Sequence, residues 1–311
     1  MIQIRKAERK QSKLRIGLSS PSGAGKTYSA LLLAKGLVGD WEKVGLIDTE
    51  TGRGDFYSDL GGYLIATLQA PFTPERYIEY IEAMIGAGVE VLIIDSISHE
   101  WEGKGGLLEI NEKLAAAKFK GNTWSAWSET TPRHQKFIES IISAPIHVIT
   151  TVRNKVDTVM TDDKKVKKVG TKEITREGFE YELTVNFNLD RDTHTAIASK
   201  DNTRLFDGRD PFVITEKTGE ELREWVNSGA VDNSAAEARE AALIELREVL
   251  SSIGKDEAWA ADQSGKSIEN QTTEEIMKLT ERIQKAIEKK REEAAAKTVN
   301  INEVEIPIIK Q

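Results

Sequence analysis

The sequence predicts an α/β fold, with a mainly parallel sheet flanked by helices and a smaller α-helical region after it. Three observations predict it. Short, wholly apolar runs such as Val91–Ile94, bounded by Glu90 and Asp95, suit central strands buried on both faces. These runs alternate with segments whose apolar residues recur at helical spacing. Near Ser228 the composition changes, and two helical patterns dominate the remainder of the chain.

Taken in order, Leu14–Ser19 reads as a strand, Thr27–Leu37 as an apolar-rich helix and Val44–Asp48 as a second buried strand. Tyr77, Ile78, Ile81 and Ile85 give Pro74–Ala87 helical spacing. After the Val91–Ile94 strand come helices at Leu107–Lys118 and Pro132–Ser143, then strands at Ile146–Thr151, Tyr181–Leu189 and Thr195–Lys200. Beyond the composition change, Leu243, Leu246 and Leu250 mark a helix over Ala235–Leu250. Thr272 and Glu275 form a capping box that opens a helix with Ile276, Leu279, Ile283 and Ile287 on one face. These two helices are expected to pair across the segment 254–270. Glu288–Lys297 is a charged, alanine-rich exposed helix, and Ile301–Lys310 a loose strand. The domains read as a basic arm at 1–12, a core at 13–230, and a helical region with a tail at 231–311.

The chain has 311 residues, 39% hydrophobic and 30% charged, which is ordinary for a globular protein. It has no cysteine, so thiol catalysis and cysteine-held metal sites are excluded. The charged start, Met1–Lys10, does not read as a secretory signal, and no apolar run approaches a membrane span. A cytoplasmic location is expected. The net charge of −8 excludes a uniformly basic nucleic-acid binder but leaves room for a basic patch on an acidic body. Residues 231–311 carry 17 acidic and 12 basic residues, so −5 of the net −8 lies there. Two basic stretches stand out. One is the arm with Arg5, Lys6, Arg9, Lys10, Lys13 and Arg15; the other runs from Arg153 to Arg176.

Ser20, Pro21, Ser22, Gly23, Ala24, Gly25, Lys26 and Thr27, with Tyr28 behind them, lie between the first strand and the first helix. They match the phosphate-loop pattern G-x-x-x-x-G-K-[ST], with Ser20 in place of the first glycine. Such a loop curls backbone N–H groups around phosphate oxygens at the positive end of a helix. Lys26 is expected on the β- and γ-phosphates of ATP, and Thr27 on Mg²⁺. Asp95, ending the most apolar strand, is the second candidate for Mg²⁺.

Leu46-Ile-Asp-Thr-Glu50, Ile93-Ile-Asp-Ser96 and the phosphate loop occur in the order and spacing of the RecA recombinase core, which the chain resembles. More narrowly, it looks like the short RecA-core ATPases of bacteriophages, some of which are single-strand annealing recombinases. Ile4-Arg-Lys-Ala7, Trp127-Ser-Glu-Thr-Thr-Pro-Arg133, Arg176-Glu-Gly-Phe-Glu-Tyr-Glu182 and Ser199-Lys-Asp-Asn-Thr-Arg204 add to that resemblance, which spans roughly 1–225. It implies an ATPase in which Glu50 is the general base for the attacking water. Thr151 stands where the family carries its sensor glutamine. The resemblance also implies a head-to-tail ring or filament, in which Lys200 and Arg204 reach a neighbouring protomer's ATP site. Single-stranded DNA and a single-strand-binding protein are the implied partners.

Lys118 and Lys120 are interleaved with Phe119, Trp124 and Trp127, which offers charge for phosphates and flat rings for bases. In the second basic stretch, Arg153, Lys155, Lys164, Lys165, Lys167 and Lys168 fall where the family has a second DNA loop, and a loop is expected there. His99, His134, His147 and His194 show no metal-ligand spacing. Two other functions fit the same motifs: an ATP-driven DNA motor such as a helicase core, and a nucleotide switch or loader with little turnover.

Overall fold

The wholly apolar runs become the centre of one sheet. In chain order the elements are β1 (Arg15–Ser20), α1 (Lys26–Val38), β2 (Val44–Asp48), β3 (Leu64–Thr67), α2 (Pro74–Gly86), β4 (Val91–Asp95) and α3 (Ser98–Glu102). Then come α4 (Leu107–Lys118), α5 (Thr123–Ser143), β5 (His147–Met160), β6 (Val166–Glu173), β7 (Val185–Leu189), β8 (Ala196–Asp201) and α6 (Glu216–Asn227). The last elements are α7 (Ser234–Ser252), α8 (Glu257–Ser264) and α9 (Thr273–Val299). This is a computed structural model that describes residues 6–160, 166–231 and 234–299; the side chains at 156–170, 234–235 and 294–299 lie outside the description. The chain divides into two compact units, residues 1–230 and 231–311.

In the first unit the strand order is β3-β2-β4-β5-β1-β7-β8. Every neighbouring pair from β3 to β7 is parallel, and β8 returns antiparallel to β7. The carboxyl ends of β1, β2, β4 and β5 therefore share one edge, where a parallel α/β sheet binds its ligands. Alternate residues feed the two faces. Ile16, Leu18, Leu46 and Ile93 pack with Leu31 and Leu33 of α1. Ile47, Leu92, Ile94 and Val148 pack with Tyr77 of α2 and Phe137 of α5. On the first face α6 lies against α1 with backbone touching backbone. A Cβ on Gly36 would sit 1.8 Å from the Glu216 carbonyl oxygen, and one on Gly219 2.2 Å from that of Leu33.

Several expectations are corrected. Helix α5 begins at Thr123 rather than Pro132, because Asn122 caps it by accepting from the Ser125 N–H at 3.1 Å, and Pro132 rides inside. The stretch 153–176 is not a loop in its described part. Strand β5 runs on past the sheet and pairs antiparallel with β6, from Asn154 opposite Glu173 to Met160 opposite Val166. The β-branched residues Val156, Thr158 and Val159 favour extended backbone there. The strand expected from Tyr181 starts at Val185, after a 3₁₀ turn over Phe179–Glu182.

Arg15 does not belong to an exposed arm. It is buried, and its guanidinium donates to the carbonyls of Ile142 and Ile146 at 2.7 and 2.8 Å, and to that of Ala144, where α5 runs out of helical partners. Burial pushes its pKa down to about 10. Upstream, the Gln11 N–H donates to the Ala230 carbonyl at 2.8 Å, and the Ala230 N–H to that of Arg9 at 2.9 Å.

In the second unit, Leu246 and Leu250 of α7 pack with Ile276, Leu279 and Ile283 of α9. The segment between them is more than a connection, since α8 contributes buried Ala260 to this core. The capping box forms in both directions: the Thr272 N–H donates to Glu275 Oε2 at 2.6 Å, and the Glu275 N–H to Thr272 Oγ1 at 3.2 Å. The tail 301–310 lies outside the described residues. Among the described residues no helix is long and apolar enough to cross a membrane.

Candidate nucleotide site

The loop from Ser20 to Gly25 joins the end of β1 to the first turn of α1. Gly23 and Gly25 have φ of 86° and 89°, the left-handed region that favours glycine. Lys26 is buried, and its ammonium donates to the Ser20 carbonyl (3.0 Å), the Ser20 hydroxyl (3.1 Å) and the Pro21 carbonyl (3.0 Å). The serine that replaces the pattern's first glycine thus adds an acceptor for the loop lysine. Burial lowers the Lys26 pKa, while Asp95 and Glu50 raise it. Tyr28 is half-exposed, with its ring 5.8 Å from that of Tyr57.

Asp95 ends β4 and is buried. One of its oxygens accepts from the Thr27 hydroxyl and the other from the Thr151 hydroxyl. Burial pushes its carboxyl pKa up, against the lowering effect of the two hydroxyls and Lys26. Thr27 and Asp95 are adjoining oxygen donors, the ligand type a hard Mg²⁺ takes, so the residues fit that ion. Lys26 and the helix N-terminus fit the phosphates of ATP by charge and by donor count.

Glu50 follows β2, in a loop pinned by Asp48. The Asp48 carboxylate accepts from the backbone N–H of Glu50 (2.6 Å), Gly52 (2.8 Å) and Gly54 (3.2 Å). The Glu50 side chain is 14% exposed and held by two guanidiniums. Arg153 donates to its Oε1 through Nε at 2.8 Å and through Nη2; Arg53 donates to Oε2 at 3.2 Å. Arg153, expected among the DNA-facing cations, is therefore part of this site.

Sequence reasoning missed the turn between β7 and β8. His194 Nδ1 lies 3.2 Å from the Ala24 carbonyl oxygen, and a Cβ on Gly23 would stand 3.8 Å from Arg191 Nε. Asp190 Oδ1 holds this turn by accepting from the N–H groups of Asp192 and Thr193 and the Thr193 hydroxyl. Asp190-Arg-Asp-Thr-His194 looks like any polar turn, so nothing in the sequence marks it.

The other candidates are dispersed. Lys200 lies opposite Asn186, which lies opposite Gly17, well before the loop at Ser20; Arg204 lies beyond the end of β8. Within its own chain Lys200 donates to the Glu180 and Tyr181 carbonyls, at 3.2 and 2.5 Å. Lys118 pairs with Glu129 at 2.8 Å, and Lys120 is exposed in the turn before α5. Trp124 is 85% exposed on α5. Trp127 stacks on Trp101 with centroids 5.7 Å apart, under the Arg176 guanidinium. Lys155 is 3.7 Å from Glu102. Lys167 and Lys168 lie on β6, opposite Val159 and Thr158, and their side chains lie outside the description. Lys164 and Lys165 lie outside the described residues.

Residues 12–225 match a family model described as an AAA domain. The chain belongs to that family. This AAA domain is thus an ATPase domain of the P-loop type, with its phosphate loop, Asp95 and Glu50 at one sheet edge. No curated protein matches the chain. Among solved structures, it is similar to a prototypical ATPase from the type III secretion system of pathogenic bacteria. That match has 15% identity and a TM-score of 0.35, and covers 87% of this chain and 79% of the other.

Proposed function

We propose that this AAA domain hydrolyses ATP in concert with single-stranded DNA, in recombination or annealing of the phage RecA-core type. The observation that carries the reading is the continuity of β5. One strand bears Thr151 on Asp95, then Arg153 on Glu50, then the outgoing arm of a cation-rich hairpin. Residues 153–176 hold eight basic residues against four acidic ones, on a chain with net charge −8. Phosphates on that hairpin act on the same strand that touches the hydrolytic residues.

When ATP binds, Lys26 exchanges the Ser20 and Pro21 carbonyls for oxygens of the β- and γ-phosphates. Glu50 orients the attacking water and takes its proton. Thr27 and Asp95 would hold Mg²⁺, which when bound would neutralise charge on the phosphates. Lys200 and Arg204 of an adjacent protomer provide the cation on the far side, in a head-to-tail assembly. Trp124, with its ring exposed, offers a stacking face to a base.

The test is the salt dependence of binding to a fluorescent oligo-dT, read by anisotropy. Neutralising Lys164, Lys165, Lys167 and Lys168 together flattens the log–log slope by about 0.7 for each phosphate that no longer meets a cation. An unchanged slope returns this hairpin to an ordinary solvated surface and removes the DNA reading.

A further inference from the structure

We propose that Arg153 is a positioning residue that latches the catalytic carboxylate of Glu50, and that the β5–β6 hairpin controls hydrolysis by drawing it off. A carboxylate oxygen has two lone-pair sites. Both sites on Glu50 Oε1 are taken by Arg153, through Nε at 2.8 Å and Nη2, and Oε2 accepts from Arg53 at 3.2 Å. Held this way, Glu50 has one free site to receive a proton from water, on the oxygen that Arg53 already shares. A base that must accept a proton is hindered when a bifurcated guanidinium fills one of its oxygens and a second guanidinium shares the other.

The placement of Arg153 connects this latch to the hairpin. Arg153 is the residue where β5 changes partners. It lies opposite Ser20 of β1 at the end of the sheet, and the next residue, Asn154, opens the pairing with β6. Its own backbone is fixed on both sides: its N–H donates to Ser98 Oγ at 2.9 Å, and its carbonyl accepts from the Ile174 N–H at 2.7 Å. A twist of the hairpin about these two points swings the guanidinium relative to Glu50. The guanidinium is also about one-third exposed, so an anionic polymer on the hairpin can compete for it. That second step rests on the single-stranded DNA reading; the latch itself rests on the carboxylate geometry and on the proposed role of Glu50 as the base.

The experiment measures kcat and KM for ATP, with and without oligo-dT, for the wild type, Arg153→Ala, Arg153→Lys and the double variant Glu50→Gln/Arg153→Ala. ATP affinity is measured separately by equilibrium binding. Arg153→Ala is expected to raise the DNA-free kcat about fivefold or more, with ATP affinity within about twofold, and to cut further stimulation by DNA to less than about twofold. Arg153→Lys, a single point charge in place of a fork, is expected to give a smaller rise; it carries the test should the alanine variant not fold. The double variant is expected to be as inactive as Glu50→Gln. A DNA-free kcat that is unchanged or lowered in both Arg153 variants overturns the latch. So does a raised rate that survives Glu50→Gln, because the arginine would then act elsewhere. A wild type indifferent to oligo-dT, beside a raised Arg153→Ala rate, upholds the latch and removes the DNA reading alone.

Discussion

Replacing Gly36 by alanine adds one methyl group where α1 meets α6, and the result tests whether these helices touch backbone to backbone. The new Cβ would stand 1.8 Å from the Glu216 carbonyl oxygen and 2.9 Å from the Gly219 Cα. An ordinary carbon–oxygen contact is about 3.3 Å, so the helices must part by roughly 1.5 Å. Both obstructing atoms are backbone, so no side chain can turn aside. The cost lies at or above the top of the usual overpacking range, about 3 kcal/mol. For a unit of this size that is a fall in Tm of about 6–12 °C. Gly86→Ala makes the same chemical change at the end of α2, where nothing lies within 4 Å of the added methyl. It is expected to be neutral or to stabilise by about 0.5–1 kcal/mol. Thermal unfolding followed by circular dichroism reads both variants. If Gly36→Ala melts with the wild type, the close α1–α6 contact is wrong.

Trp124→Ala should leave stability within about 0.5 kcal/mol, since that side chain is exposed. Trp127→Ala should cost about 0.5–1.5 kcal/mol by removing its stack on Trp101; equal melting curves for the two would contradict this. His147 Nδ1 accepts from the Leu14 N–H at 3.0 Å, so the folded chain needs the neutral ring, and burial lowers its pKa to about 3. The unfolded chain takes up that proton near pH 6.5. Stability from this group is therefore whole above about pH 6.5 and is lost as pH falls towards 3. His147→Asn keeps an acceptor but does not titrate, so denaturant unfolding should show a shallower acid limb; an identical limb would rule the histidine out. In a trans-acting assembly, mixing inactive Lys26→Ala with inactive Lys200→Ala/Arg204→Ala should restore part of the ATPase activity. Full activity of the second protein alone would end the trans role.

The sheet centre is legible in the sequence because burial on both faces leaves an unmistakable apolar run. Val44–Asp48 and Leu107–Lys118 form with the bounds their patterns predict. Edge and amphipathic pieces are harder to read. Strand β3 is four residues long with both ends exposed, so it has no continuous apolar signature. Helix α6 buries Thr218, Gly219 and Leu222, and two of those three do not count as apolar. The β5–β6 hairpin is hidden because lysines occupy both arms and mask its β-branched residues. The phosphate loop is legible from local spacing, Asp95 from its place at the end of the most apolar strand, and Glu50 only through the family resemblance. The Arg153–Glu50 pair and the His194–Ala24 contact are not, because they join residues brought together only by strand order. Charge runs read without that order put Arg153 and Arg15 on the surface; the sheet turns one into the site and the other under a helix.

The central claim is that Glu50 is the base of a P-loop ATPase whose turnover responds to single-stranded DNA. The most direct test is the rate of phosphate release by the wild type and Glu50→Gln, with and without oligo-dT, alongside their affinity for ATP. Wild-type turnover is expected to rise with oligo-dT and to lose that rise as salt increases. Glu50→Gln is expected to bind ATP like the wild type and to turn over about 10²-fold more slowly or worse, with or without DNA. Turnover by Glu50→Gln at the wild-type rate would contradict the claim.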